Sequence, residues 1–305
     1  MLDIVLLGSG GTAPLKNRWL TACYQKYMGR ALLIDCGEGT QIAIKSAGVS
    51  LYAIEAICLT HYHADHVSGL PGLLLSMGLE GRTTPLSIYG PAGLEHIVEG
   101  LRVIAPELPF SLTLHHFSSS EETFSVCGMN ITAFAVKHTL PCYGYRTELP
   151  RAGKFDPKRA RELGVPMAVW SKLQKETEAT YNGIIYHQDM VLGAPRKGLS
   201  VTYCTDSRPT DSIKAYASNA DLFICEGMYA DPKKNDKAME TFHMTFSEAA
   251  QLAAEANPKA LWLTHYSPSL PDPDAHLSLA QEIFSRTLCG YDGMRTTLRF
   301  EEKDL

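Results

Sequence analysis

One stretch constrains this chain more than any other. In LTHYHADHVSGL, residues 59–70, three histidines and an aspartate fall within six positions, directly after the apolar run IEAICLT (54–60). The apolar run reads as a buried strand. His61 and His63 stand two apart, so on an extended chain their side chains lie on the same side and can share one cation. Asp65 and His66 follow where the chain turns into a helix, within reach of a second cation. Neutral imidazole and carboxylate suit zinc, and also manganese or iron. Two such ions about 3.5–4 Å apart clamp a displacement at phosphorus or carbon. Six positions cannot complete two coordination shells, so the fold must bring donors from elsewhere.

Three polar residues ending apolar runs are the candidates: His138 closes ITAFAVKH, Asp206 closes LSVTYCTD and His265 closes ALWLTH. Loops at one edge of a sheet converge readily. The other histidines, His96, His115, His116, His187 and His276, lie on a predicted helix or strand, in a polar segment or near the C-terminus, and read as ordinary residues. The glycines of GSGGT (8–12) lack the spacing of a phosphate loop and read as a tight turn after the first strand.

Strands are predicted at 3–8, 31–35, 54–60, 86–90, 112–117, 130–138, 143–149, 199–207, 222–227, 260–265 and the C-terminal TTLRFE. Helices are predicted at 40–48, ended by Gly48, and at 67–81, where Pro71 and Gly72 should distort the first turns. Further helices are predicted at 91–105, in FSEAAQLAAEA behind a Thr245–Glu248 capping box, and at 274–288. Strands dominate at first and then alternate with helices, which suggests two sheets with helices packed outside. After Leu149 the character changes. Residues 149–200 carry nine Lys/Arg against five Asp/Glu, a surplus of +4 on a chain of net charge −5. RAGKFDPKRARELGVP is basic and helix-like, and Asn182-Gly183 marks a hairpin turn. Residues 150–197 therefore read as an arm inserted into a single domain spanning 1–305. The surplus is either a solvated face or a surface for phosphate.

No run of about 18 apolar residues occurs, so no membrane span is expected. The N-terminal MLDIVLLGSGG carries Asp3 and no basic leader, and reads as a strand rather than a signal peptide. Eight scattered cysteines, several within strand-like runs, are expected to be free buried thiols in a reducing cytoplasm.

THYHADH resembles the T-H-x-H-x-D-H signature of the metallo-β-lactamase superfamily, and the later His, Asp and His follow in the superfamily's order. The resemblance implies an α/β fold, a four-layer αβ/βα sandwich with a metal site at one edge. By position it implies that His61, His63 and His138 hold one zinc ion, that Asp65, His66 and His265 hold a second, and that Asp206 bridges them. Asp35 would brace the histidine loop. Within the superfamily, DCGEGTQ (35–41) and GSGGTAPLKNRWL, with Pro14, Lys16 and Arg18, resemble ribonuclease Z, the tRNA 3′-end endonuclease. CEGMY followed by ETFHMTFSEAAQLA, and LWLTHYSP, resemble further segments of the same family, and the insertion at 150–197 sits where its short form carries an arm. This second resemblance implies a phosphodiesterase that cuts precursor tRNA 3′ of the discriminator. Asp65 would accept the water's proton, and His243, oriented by Glu226, would act as donor or general acid. It also implies a cytoplasmic homodimer whose arm grips tRNA. Lys16, Arg18, Arg151, Lys154, Lys158, Arg159 and Arg161 are the candidate substrate contacts. A metallo-hydrolase of small or cyclic nucleotide phosphodiesters is the alternative.

Overall fold

The apolar runs become strands because β-branched and aromatic side chains pack well on a pleated surface. The computed structural model describes residues 1–301. Its strands are β1 (Leu2–Gly8), β2 (Ala22–Tyr27), β3 (Arg30–Ile34), β4 (Ile54–Cys58), β5 (Leu86–Gly90), β6 (Leu112–His116), β7 (Glu121–Val126) and β8 (Met129–Val136). They continue with β9 (Cys142–Arg151), β10 (Glu178–Tyr181), β11 (Ile184–His187), β12 (Arg196–Cys204), β13 (Leu222–Glu226), β14 (Leu261–Thr264), β15 (Thr287–Cys289) and β16 (Met294–Leu298). One seven-stranded sheet runs β16-β1-β2-β3-β4-β5-β6, and the other runs β15-β14-β13-β12-β9-β8-β7. In the first, β3 to β6 are parallel and the rest antiparallel. In the second, β12 to β15 are parallel and β7 to β9 antiparallel.

Helices cover one face of each sheet. Leu33, Ile57 and Ile88 pack with Ile44, Leu73, Leu74 and Val98 from helices beside the first sheet. Phe223, Cys225 and Leu263 pack with Ile213, Ala249, Ala250 and Ala253 beside the second. The other faces meet, and Tyr145 Oη of β9 donates to the Leu59 carbonyl at 2.5 Å. The result is the four-layer αβ/βα sandwich.

The chain divides into two compact units, one of residues Met1–Glu148 and Ser200–Arg299, the other of Leu149–Leu199 with the C-terminal residues from Phe300. The second has its own core of Ala160, Val165, Val169, Leu173, Ala179, Val191 and Leu192. Its helix Pro157–Glu162 is capped by Asp156, which accepts from the Lys158 and Arg159 amides at 3.0 and 2.9 Å. Its hairpin β10–β11 turns through Asn182 and Gly183 with φ of 50° and 80°, the left-handed pair that two-residue hairpins need.

Four readings of the sequence are corrected. The helix expected over 274–288 is short, Leu277–Gln281, and Thr287–Cys289 is instead strand β15, paired parallel with β14. The helix expected over 67–81 is Leu70–Leu79, with Pro71 seated harmlessly in its first turn and the short helix Ala64–Val67 before it. The helix expected at 91–105 begins only at Leu94. Strands β2 and β7 were not anticipated: Gln25 and Lys26 interrupt the apolar pattern of β2, and β7 is a half-exposed edge strand.

Candidate metal centre

The site lies where strands end. Asp35 follows β3, His61 follows β4, Asp206 follows β12, Glu226 ends β13 and His265 follows β14. His138 lies just beyond β8. Asp35, Asp206 and His265 have φ of 61°, 46° and 57°. Such left-handed turns are strained for residues with a Cβ, and strain of this kind gathers at functional sites.

The seven donor residues singled out from the sequence meet in two adjoining groups. In the first, His61 Nε2 is 2.9 Å from His63 Nδ1, and His138 Nε2 is 3.2 Å from that same Nδ1. Asp206 Oδ1 stands 3.8 Å from both His61 Nε2 and His138 Nε2. In the second, His66 Nε2 and His265 Nε2 are 3.2 Å apart. Asp206 Oδ2 is 3.1 Å from each of them, and Asp65 Oδ2 is 3.6 Å from the first and 3.3 Å from the second. Ligands about 2.0–2.1 Å from a tetrahedral centre stand ~3.3 Å apart, so both spacings fit a shared ion. Asp206 Oδ2 is buried without a well-aligned hydrogen bond, although two imidazole nitrogens lie beside it. A buried carboxylate oxygen facing converging imidazole nitrogens is costly unless a cation sits among them. The donor set is that of a divalent-metal site.

The electrostatics keep most of these donor residues in the form that would bind a cation. Burial pushes His61 well below its usual value, helped by neighbouring His66, and burial likewise lowers His63 and His138. Burial opposes the charge on Asp65 and Asp206. Around Asp65 the hydrogen bond from His265 and the charge of His66 outweigh it, and around Asp206 the imidazoles of His265, His66 and His61 do so. Both carboxylates are held low. His66 differs: burial disfavours its charge, but Asp206 and Asp35 prevail and raise it well above the ordinary range. Asp35 holds His66 Nδ1 at 2.9 Å and accepts from the Thr60 amide at 2.8 Å, so Nε2 of His66 faces the centre. Thr60 Oγ1 lies 3.1 Å from His61 Nδ1, which ties the two histidines to one carboxylate.

Residues not found from the sequence complete the frame. Thr12 donates its amide to Asp65 Oδ2 at 2.6 Å. Gly11 passes so near His265 that a Cβ there would meet the imidazole at 2.5 Å. The GSGGT loop is thus a backbone wall of the site as well as a turn. Arg208 donates to the His243 carbonyl at 2.5 Å and pairs with Glu248.

Beside the two groups, His243 is buried with Nδ1 at 3.2 Å from Glu226 Oε2 and 3.9 Å from Asp206 Oδ1. Burial opposes its charge, but Glu226 and then Asp206 and Asp65 raise it to about 9. Glu226 also accepts from the Ser207 and Met244 amides at 2.6 and 3.0 Å.

Lys16 is exposed. Arg18 donates to the Leu270 and Pro271 carbonyls at 2.8 and 3.0 Å and lies 5.3 Å over the Tyr266 ring. Arg151, Lys154, Lys158, Arg159 and Arg161 belong to the second unit, the last four exposed. Arg159 donates to the Asp189 carbonyl at 3.1 Å. Arg151 lies 5.0 Å over Phe300, and Arg161 lies 5.8 Å over Trp170.

A family model described as a Beta-lactamase superfamily domain matches residues 189–266, and one described as Anti-Pycsar protein Apyc1 matches residues 2–145. With the paired sheets and the His/Asp rim, this defines a metal-dependent hydrolase of the metallo-β-lactamase superfamily. A ribonuclease Z from Lachnospira eligens is 53% identical over 303 residues, 99% of this chain and 100% of that one. Another from Agathobacter rectalis is 52% identical over 302 residues, with the same coverage. The chain belongs to the ribonuclease Z family. Among solved structures, human tRNase Z, short form, superposes with a TM-score of 0.70 at 22% identity, over 98% of this chain and 100% of that one. The metallo-β-lactamase fold protein YhfI from Bacillus subtilis does so with a TM-score of 0.70 at 21% identity, over 97% of this chain and 100% of that one. These two share the fold.

Proposed function

We propose that this protein is a zinc-dependent endoribonuclease that trims precursor tRNA, cutting 3′ of the discriminator to leave a tRNA 3′-hydroxyl and a 5′-phosphate on the trailer. The observation that carries the reading is the convergence of seven His/Asp donors beside a clamped His243, on a chain 53% identical end to end with a ribonuclease Z.

His61, His63 and His138 would hold one ion, Asp65, His66 and His265 another, with Asp206 shared. When bound, such ions supply Lewis acidity toward the scissile phosphate and water. Asp65, which accepts from the Thr12 amide, would take a proton from the attacking water. As the bond from phosphorus to the 3′ oxygen breaks, His243 donates a proton to that oxygen. Glu226 engages Nδ1, which leaves Nε2 as the donating nitrogen.

Residues 150–197 act as an arm that binds tRNA phosphates through Arg151, Lys154, Lys158, Arg159 and Arg161, with Lys16 adding a contact on the main unit. The active form is a cytoplasmic homodimer. All eight cysteines are free and buried, as suits a reducing compartment. Among the described residues no helix is long and apolar enough to cross a membrane.

The test is cleavage mapping on a precursor tRNA with the zinc-loaded protein at low salt, beside cyclic nucleotides. A single cut 3′ of the discriminator is expected. An intact precursor alongside hydrolysed cyclic nucleotides would overturn the tRNA assignment.

A further inference from the structure

The segment bearing His243 lies between two helices, Asn235–Thr241 and Phe246–Ala256, and belongs to neither sheet. It leaves the first helix through Phe242 in a left-handed turn, φ 58°. The His243 amide donates back to the Ala238 carbonyl at 2.8 Å, and the Met244 amide donates to Glu226 at 3.0 Å. The His243 carbonyl is held from the other side by Arg208 Nη1 at 2.5 Å. That same Nη1 lies 3.1 Å from Glu248 Oε2, and Nη2 pairs with Oε1, a two-pronged grip that fixes the guanidinium plane. Glu248 in turn accepts from the Thr245 amide at 2.9 Å, two residues beyond His243.

Arg208 is anchored on the metal side as well. It stands two residues after Asp206. Its amide donates to the Lys137 carbonyl at 3.0 Å, and the Lys137 amide donates to Ser207 Oγ at 3.1 Å, next to His138. One side chain therefore ties the His243 segment to the stretches that carry Asp206 and His138. A surface ion pair contributes little to stability, but the Arg208 side chain is only 15% exposed and spans two segments whose alignment sets where His243 meets substrate.

We infer that Arg208, gripped by Glu248, is a positioning residue that holds His243 in register with the metal donors and so sets the rate of the proton-donating step without touching substrate. The inference rests on the reading of His243 as proton donor. Misplacing a reacting group by about 1 Å costs on the order of 100-fold.

The experiment is a double-mutant cycle on the zinc-loaded, full-length protein. Arg208→Met and Arg208→Lys are made alone and with His243→Ala, and kcat and KM are read on precursor tRNA and on bis(p-nitrophenyl) phosphate. Bound zinc and Tm are measured for each variant. Arg208→Met should lower kcat on tRNA roughly 10–100-fold, with KM and bound zinc nearly unchanged. Arg208→Lys should recover part of the loss. In the His243→Ala background the same change should cost less than about twofold. On bis(p-nitrophenyl) phosphate, whose leaving group departs without a proton, the loss should largely vanish. Equal losses with and without His243, equal losses on both substrates, or a loss carried by bound zinc overturn the inference. Should Arg208→Met fail to fold, Glu248→Gln, which loosens the same guanidinium, runs the same cycle. A wild-type protein that cuts neither substrate defeats the proposed function itself, whereas active wild type with losses independent of His243 defeats only the role given to Arg208.

Discussion

The carboxylate of Asp35 lies 2.9 Å from His66 Nδ1, and both side chains are fully buried. The pair lies behind the rim, so Asp35 acts on the site through the His66 ring it orients and, by way of Thr60, through His61. Asp35→Asn keeps the shape and removes the charge. Zinc affinity, measured by competition with a chelator, should fall about 10–100-fold. Unchanged affinity would show that His66 needs no brace.

Glu226 governs His243 in a way that pH can read. His243 is raised to about 9 in the folded chain, and a proton donor works only while protonated. Activity on tRNA should therefore fall as pH rises through that group's value. Removing the negative partner in Glu226→Gln lowers the value, so the alkaline limb of kcat should move to lower pH. A limb that stays in place would separate Glu226 from His243.

Gly11 has no room for a side chain beside His265. In Gly11→Ala the imidazole must shift, and because His265 Nε2 faces both Asp65 and Asp206, the second donor group opens. Expected results are a loss of about half the bound metal by elemental analysis and a collapse of turnover. Full metal content with normal kcat would contradict this packing argument.

Chelation should lower Tm as well as abolish activity, because an ion that binds only the folded chain stabilises it. At a free concentration of about 100 times Kd the gain is about 2.7 kcal/mol. Differential scanning calorimetry with and without a chelator checks this, and zinc should restore both quantities. A Tm indifferent to chelation would mean that the donor groups bind no ion.

The ends of the Leu149–Leu199 unit fall on β9 and β12, which are neighbours in one sheet, so a short linker can replace 150–197. The deletion should spare bis(p-nitrophenyl) phosphate hydrolysis and abolish tRNA cutting. Binding of tRNA by the intact chain should weaken steeply with salt. Retention of tRNA cutting by the deletion would remove the arm from substrate binding.

The candidate donors were legible where His61, His138, Asp206 and His265 each close an apolar run, because a polar side chain at a strand end must face a loop, water or an ion. His63, Asp65 and His66 were legible from their spacing after His61, on a strand end that turns into a helix. Gly11 and Arg208 were not. Gly11 meets His265 from the far end of the chain and Arg208 meets His243 across 35 residues, and no local period records such meetings. The capping box at Thr245 and Glu248 was plain, since both partners lie within one turn. The helix expected at 274–288 failed for the opposite reason. Its local pattern was overruled when Thr287–Cys289 found a free strand edge beside β14.

The backward-bent backbones at Asp35, Asp206 and His265 carry a further consequence. Each holds an unfavourable conformation that glycine would adopt freely, at about 1–3 kcal/mol apiece. Glycine at Asp206 would relieve that backbone cost but would remove the buried carboxylate that faces His61, His66 and His265. At those three positions the backbone cost is bound to the side chain that the site needs, so a change that eases the turn empties the rim.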